Sequence, residues 1–242
     1  MKKYINELLS ALNFVWDEVF DLPSQVIFKN SPRLEKNNVF ILSAFPVLGF
    51  LAGMLIALPG VILAAVFNKH AAGVLFAVAA WIVLCFKDSG RGDGWMGNYF
   101  FERLRNHENG EFIRNVLTIF PVLLKFAILL FIGLTGKYFF FAAIVCGAFT
   151  LQAALISSED CPVKFVSADE RAVKVFRLTM IILAIILFLL CRAAAVGAVA
   201  AVCLLYIIFN RIMRQNGFTA AAVSHAGYIA EWVLLVTGLL LL

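Results

Sequence analysis

Acidic and basic side chains collect in one polar stretch of the chain, between two long apolar runs. This stretch, Lys87–Arg114, reads KDSGRGDGWMGNYFFERLRNHENGEFIR. It holds five basic residues (Lys87, Arg91, Arg103, Arg105 and Arg114) and five acidic ones (Asp88, Asp93, Glu102, Glu108 and Glu111). Glycines at 90, 92, 94 and 97 disfavour a regular helix in its first half. We therefore expect residues 87–115 to form a polar loop that the rest of the chain holds in place.

Acids beside glycines are the residue types that a hard divalent cation needs. Mg²⁺ takes oxygen ligands and commonly bridges one or two carboxylates to substrate phosphates. Arginines of the same loop would then bind the phosphate oxygens, and metal plus arginine is the usual arrangement for phosphoryl transfer. The alternative is a solvated loop whose charges neutralise one another near lipid headgroups. Spacing alone favours that alternative, because Asp88 and Asp93 are only two acids and form no tight repeat.

The composition indicates which kind of fold positions this loop. Hydrophobic residues make up 63% of the 242 residues, charged residues make up 14%, and the mean hydropathy is +0.94. Soluble domains are roughly 45–50% apolar and about 25% charged. The sequence therefore predicts an all-α, polytopic integral membrane bundle. The net charge of +5 does not indicate nucleic-acid binding, because basic residues of membrane proteins gather on the cytoplasmic side.

Two regions follow from the hydropathy pattern. Residues 1–38 are an N-terminal cytoplasmic or interfacial segment, in which the apolar residues from Leu8 to Val19 predict an amphipathic helix on the membrane or against the bundle. Residues 39–242 are a single transmembrane domain. We expect about seven transmembrane helices, near 39–67, 71–86, 116–135, 138–156, 178–191, 193–209 and 221–242. The first contains Pro46 and Pro59, so it is either one kinked span or a re-entrant pair.

The distribution of basic residues predicts the orientation of the bundle. With the N-terminus inside, sixteen basic residues fall in the inner regions, and three (Lys69, Lys137 and Arg192) fall in the outer links. This bias follows the positive-inside rule. It predicts a protein of the cytoplasmic (inner) membrane whose N-terminus and polar loops are cytoplasmic and whose C-terminus is outside.

Two ionisable residues, Lys125 and Glu231, fall within the apolar segments. A charge at membrane depth costs about 2.5–3.5 kcal/mol even on insertion scales, so each should face the bundle or a wet cavity. Lys125 is therefore either functional or extends its ammonium toward the cytoplasmic face. Glu231 is either functional or pairs with a loop arginine.

A series of landmarks extends over nearly the whole chain. They are Leu22-Pro23, Phe45-Pro-Val-Leu-Gly49, Asp93-Gly94, Leu104-Arg-Asn-His-Glu-Asn-Gly-Glu-Phe112, Lys125, Asn216-Gly-Phe-Thr219 and Glu231. In their order and spacing the chain resembles the cobalamin synthase family. Members of that family are membrane transferases that join adenosylcobinamide-GDP to α-ribazole or its phosphate and release GMP.

The resemblance implies a Mg²⁺-dependent phosphotransferase, with Mn²⁺ as the alternative cation. It implies catalytic roles for Asp93, His107 and Lys125, and metal ligation by Asp88, Asp93, Asn98 and Asn106. It implies substrate binding by Arg103, Arg105, Gly110, Thr219 and Glu231. The implied partners are nucleotide-activated corrinoid and ribazole-type molecules, the lipid bilayer, and either a second copy of the chain or other cobamide-assembly enzymes, with no nucleic acid.

The chain also departs from the family pattern. Only Asp88 and Asp93 stand where the family has His-x-Asp-Gly-x-x-Asp-x-x-Asp-Gly, and Ala220-Ala221-Ala222 replaces a Gly-Asp-Thr. Three hypotheses therefore remain open at this point. The chain is a divergent transferase, a catalytically lapsed paralogue that acts as a binding or partner subunit, or a small-molecule transporter.

Overall fold

The computed structural model describes residues 2–20, 38–87, 110–158, 170–216 and 220–241. Within these ranges the chain forms eight helices and no strand, which confirms the all-α prediction for the described residues. The helices are α1 (Lys2–Phe20), α2 (Ile41–Val66), α3 (Lys69–Lys87), α4 (Gly110–Leu134), α5 (Phe139–Ile156), α6 (Glu170–Cys191), α7 (Ala193–Asn216) and α8 (Ala220–Leu241).

Five of the described helices are long and apolar enough to cross a membrane. Their qualifying stretches are Ile41–Val66, Phe139–Ile156, Glu170–Cys191, Ala193–Gln215 and Ala222–Leu241. Two shorter apolar stretches, Lys69–Leu84 and Ile119–Leu134, belong to α3 and α4. The prediction of a membrane-spanning helical protein is therefore supported by length and composition.

Several helices extend beyond the apolar segments that predicted them. α6 begins at Glu170 rather than near residue 178, and α7 continues to Asn216 rather than ending near residue 209. α4 begins at Gly110, so the last residues of the predicted 87–115 loop are helical. Hydropathy marks the apolar zone of a helix, whereas its charged turns beyond that zone keep the same backbone hydrogen bonds.

The first apolar segment is one continuous helix rather than a re-entrant pair. α2 includes both Pro46 and Pro59 within its helical span. Proline is tolerated in spanning helices when neighbouring helices and local adjustments satisfy the freed backbone groups.

α5 lies at the centre of the described bundle. Of its apolar, membrane-length stretch, 72% is buried inside the protein, and α5 packs against α2, α6, α7 and α8. Gly49 and Gly53 of α2 lie directly against α5, and a Cβ at Gly49 would stand 2.9 Å from the carbonyl oxygen of Val145. Small residues one turn apart let two backbones approach closely, which is how helices associate in membranes.

Contacts between helices show that the described helix ends next to the polar stretches of the sequence all lie at one end of the bundle. The pairs that fix the helix directions are Gly49 with Val145, Gly53 with Ala142, Gly73 with Gly133, Trp81 with Phe126, Gln152 with Gly227, Phe140 with Gly238, and Ser158 with Asn210. In the contacts between α2 and α5, α3 and α4, and α5 and α8, residue numbers rise along one helix as they fall along the other. The two helices of each of these pairs are therefore antiparallel, and the pair of α5 and α7 is the exception. The end that contains Ile41, Lys87, Gly110, Ile156, Glu170, Asn216 and Ala220 is called here the polar-loop end. The opposite end, with residues 67–68, 135–138 and 192, is called the short-link end.

The N-terminal helix packs against the bundle. Ala11, Leu12 and Val15 of α1 are buried, and α1 contacts α2 and α3. The Asn38 side chain links the residues before α2 to α1. Its Nδ2 donates hydrogen bonds to the Glu7 carbonyl oxygen at 2.7 Å and to the Ser10 hydroxyl at 3.0 Å. The sequence predicted that this helix lies either on the membrane or against the bundle. Its buried face agrees with the position against the bundle.

Candidate functional site

The two ionisable residues predicted at membrane depth meet in the structure. Lys125 Nζ donates a hydrogen bond to Glu231 Oε2 at 3.3 Å. The side chains are 2% and 0% exposed, so the pair lies inside the protein. The residues are 106 positions apart in sequence, and the contact joins α4 to α8.

The helical pattern explains why Lys125 points inward. The buried residues of α4 include Pro121, Lys125, Ile128, Leu129 and Ile132, which lie on one helix face at intervals of three and four residues. Lys125 therefore occupies a position of the core face, where its ammonium needs an internal partner. The interpretation that its ammonium extends to the cytoplasmic surface is wrong, because the side chain is buried and pairs with Glu231.

An aromatic ring lies beside the pair, and an amide side chain packs one turn away on α8. Lys125 Nζ lies 5.7 Å from the centroid of the Trp232 ring, a distance at which a cation is attracted to the face of an indole. The Gln152 side chain of α5 packs on Gly227, one turn before Glu231 on α8. The core at this depth therefore contains a small group in otherwise apolar packing, which we call the ion-pair cluster: Lys125, Glu231 and Trp232.

Gln152 and Trp232 were not predicted from the sequence. Gln152 stands alone in the apolar run of α5, and Trp232 directly follows Glu231. A polar side chain isolated in a spanning segment was a signal that could have identified Gln152. No sequence pattern placed Trp232 near Lys125 or Gln152 against Gly227, because these contacts join separate helices.

The ion-pair cluster lies deep below the polar-loop end. Lys125 is 15 residues beyond Gly110, which is about 22 Å along the axis of α4. Glu231 is 11 residues beyond Ala220, or about 16 Å along α8. The ion pair thus fixes two parallel helices side by side, and both begin at the polar-loop end.

Most of the predicted site residues lie outside the described residues. These are Asp88, Asp93, Asn98, Arg103, Arg105, Asn106, His107 and Thr219. Gly110 is the first residue of α4, and Thr219 directly precedes α8 in the sequence. The predicted roles of these residues in metal and substrate binding stay predictions.

The described residues do not by themselves supply a metal site. Among them, no group of three or more His, Cys, Asp or Glu side chains is arranged to hold an ion. Glu231 is a single buried carboxylate that already faces an ammonium group, which does not fit the several oxygen ligands that Mg²⁺ takes. A magnesium site would have to be built by the predicted ligands of the central loop.

Comparisons with protein-family models, with curated proteins and with solved structures gave no match to this chain.

Proposed function

We propose that the protein is a membrane-bound transferase that resembles cobalamin synthase and joins adenosylcobinamide-GDP to α-ribazole or its 5′-phosphate. In this proposal α2 to α8 are seven spans of the cytoplasmic membrane. The polar-loop end and the N-terminus face the cytoplasm, and the C-terminus is outside. The bias of basic residues toward the polar-loop end supports this orientation.

One observation carries the proposal. Lys125 and Glu231 are the two intramembrane charges among the landmarks, and they contact each other across 106 residues of sequence. Two further landmarks, Gly110 and Thr219, stand at the starts of the same two helices. These four residues, to each of which the resemblance assigns a function, are thus linked in the proposal through the parallel helices α4 and α8.

The proposed reaction is a displacement at phosphorus. A free ribose hydroxyl of the ribazole, present in both proposed acceptors, forms a bond through its oxygen to the β-phosphorus of the cobinamide pyrophosphate, the bond from that phosphorus to the bridging oxygen breaks, and GMP leaves with the electron pair. His107 accepts the hydroxyl proton, and Arg103 and Arg105 hold the phosphate oxygens. Mg²⁺ held by Asp88, Asp93, Asn98 and Asn106 would neutralise the pyrophosphate charge.

The resemblance implies a catalytic role for Lys125 and substrate binding by Glu231, whereas in this proposal both act as positioning residues. A helix axis distance of about 22 Å separates Lys125 from Gly110, so the pair acts on the site through α4 and α8 rather than by touching phosphate. Holding the starts of these helices together keeps the loop groups in register for the in-line displacement.

Continuity of the helices favours a transferase over a carrier. Transporters bind their substrates near the bilayer midplane at discontinuous helices. The described spanning helices, including the proline-containing α2, are unbroken.

The test is a cobamide-assembly assay on membranes that contain the wild-type protein. Adenosylcobinamide-GDP and α-ribazole are supplied with Mg²⁺, and GMP and the joined corrinoid are measured by chromatography. We expect both products in equal amounts, and their loss in Asp93→Asn. The matched control Glu170→Gln changes one exposed acid outside the proposed site and should retain activity. Binding of cobinamide without turnover would refute the transferase and identify a lapsed paralogue.

A further inference from the structure

A long apolar crevice runs between α6 and α7 and is floored by α5. Its volume is about 490 Å³, and a neighbouring space of about 510 Å³ lies beside it between the same two helices. The two spaces share Ile181 and Ala184 of α6 and Ala195 and Val199 of α7. Binding clefts for small molecules have volumes of about 300–1,000 Å³, so the crevice is large enough for a ligand.

Small side chains create this space. The floor contains Ala143, Gly147 and Ala154 of α5, and the walls include Ala184 and Ala195. Small residues usually allow helices to close on one another. Here the single-residue link at Arg192, which has a φ of 53°, joins α6 and α7 at the short-link end, and an open furrow remains between the helices.

The length of the crevice corresponds to one leaflet of a bilayer. Its lining extends from Phe176 to Leu187 on α6 and from Ala195 to Ile207 on α7. These spans measure about 16 Å and 18 Å at the rise of an α-helix. Half of the hydrocarbon core is about 15 Å thick. The crevice therefore fits an extended acyl chain.

Two arginines stand on α6 and α7 near the polar-loop end of the crevice. Arg177 lies one turn before Ile181 on α6, and Arg211 lies one turn beyond Ile207 on α7. Both side chains are exposed. Residues four apart share a helix face, so Arg177 and Arg211 lie on the same helix faces as the lining residues Ile181 and Ile207. Guanidinium groups bind phosphate oxygens in a bidentate manner.

We propose that the α6–α7 crevice binds an anionic phospholipid, with one acyl chain in the furrow and the headgroup phosphate between Arg177 and Arg211. The crevice matches this lipid in both shape and charge. The apolar channel is about one leaflet long, and two arginines lie near its polar-loop end. A zwitterionic lipid of the same chain length fills the channel but neutralises the arginines less. This inference does not depend on the transferase activity.

The first test compares lipids of equal chains on the purified, delipidated full-length protein. Phosphatidylglycerol and phosphatidylcholine are titrated, and bound lipid is counted by native mass spectrometry. We expect phosphatidylglycerol to bind about tenfold more tightly, since each basic group near an anionic headgroup contributes favourably. The Arg177→Gln/Arg211→Gln variant should lose this preference. The Lys69→Gln/Lys137→Gln variant removes two exposed charges at the short-link end and should keep it.

A second variant tests the channel itself. Ala184→Phe places a ring in the furrow, where Ala184 borders both spaces, and should abolish tight binding of phosphatidylglycerol even if the arginine variant does not fold. Equal binding of the two lipids by the wild type, or unchanged binding in Ala184→Phe, would overturn the proposal. Binding of soluble glycerol phosphate as tightly as the lipid would overturn it as well, because the acyl chain would then contribute nothing.

Discussion

Removing one partner of the Lys125–Glu231 pair should destabilise the protein far more than removing both. At 3.3 Å and an effective dielectric constant of about 20, the attraction between the two charges is about 5 kcal/mol. Removing two ions from water costs several kcal/mol for each, so the attraction and the desolvation nearly cancel. A single substitution leaves the other charge buried and unneutralised, which typically costs about 3–5 kcal/mol.

The expected values follow from this balance. Lys125→Met should lower the unfolding temperature by about 6–20 °C, since each kcal/mol shifts it by about 2–4 °C in a chain of this size. Glu231→Gln should have a smaller effect of the same sign, because an amide is isosteric with the carboxylate and still accepts a hydrogen bond. The double variant Lys125→Met/Glu231→Leu should unfold within a few degrees of the wild type, because both charges are gone and the volume is roughly kept.

The assay is the fraction of detergent-solubilised protein that remains monodisperse on size exclusion after heating. Lys137→Met is the matched control, since it removes an exposed lysine at the short-link end and should leave the unfolding temperature unchanged. If Lys125→Met behaves like Lys137→Met, the ion pair does not hold α4 to α8, and the positioning role proposed for it is refuted.

Three further predictions concern the fold. Gly53→Val should destabilise the protein by about 1–3 kcal/mol by overpacking the α2–α5 contact at Ala142, measured by the same heating assay, whereas Ala65→Val on an exposed face of α2 should not. Asn38→Ala should loosen α1 and speed protease cleavage after residue 20, because the bonds to Glu7 and Ser10 are lost; unchanged cleavage would contradict this role. On a cysteine-free background in intact cells, a cysteine at Lys137 should react with an impermeant maleimide and one at Lys174 should not, and the reverse result would invert the proposed orientation.

Hydropathy predicted where the helices lie but not which of them is central. The most apolar stretch of α6 has a mean hydropathy of 2.5, which is higher than the 2.2 of α5. Yet only 17% of that stretch of α6 is buried inside the protein, compared with 72% for α5. Lipid and protein interior are equally apolar, so hydrophobicity alone does not distinguish a helix that faces lipid from one at the core. The central position of α5 is instead evident in the structure from its close contact with Gly49 and Gly53 of α2.

Sequence reasoning identified two residues of the ion-pair cluster, Lys125 and Glu231, but not the contact between them. The cost of a charge in lipid singled out Lys125 and Glu231 from the sequence. Their direct contact could not be predicted, because periodicity along one helix says nothing about the helix it faces 106 residues away. The packing of Gln152 on Gly227 was equally hidden, because it forms only when α5 and α8 are brought together.

The central claim is that this ion pair aligns the two helices that carry a phosphotransfer site. The most direct measurement is GMP release from adenosylcobinamide-GDP and α-ribazole by the wild type, by Lys125→Glu, by Glu231→Lys and by the charge-reversed double variant. We predict turnover by the wild type, loss in each single variant and substantial recovery in the double variant, because reversal restores the pairing. No GMP release by the wild type, or single variants as active as the wild type, would contradict the account.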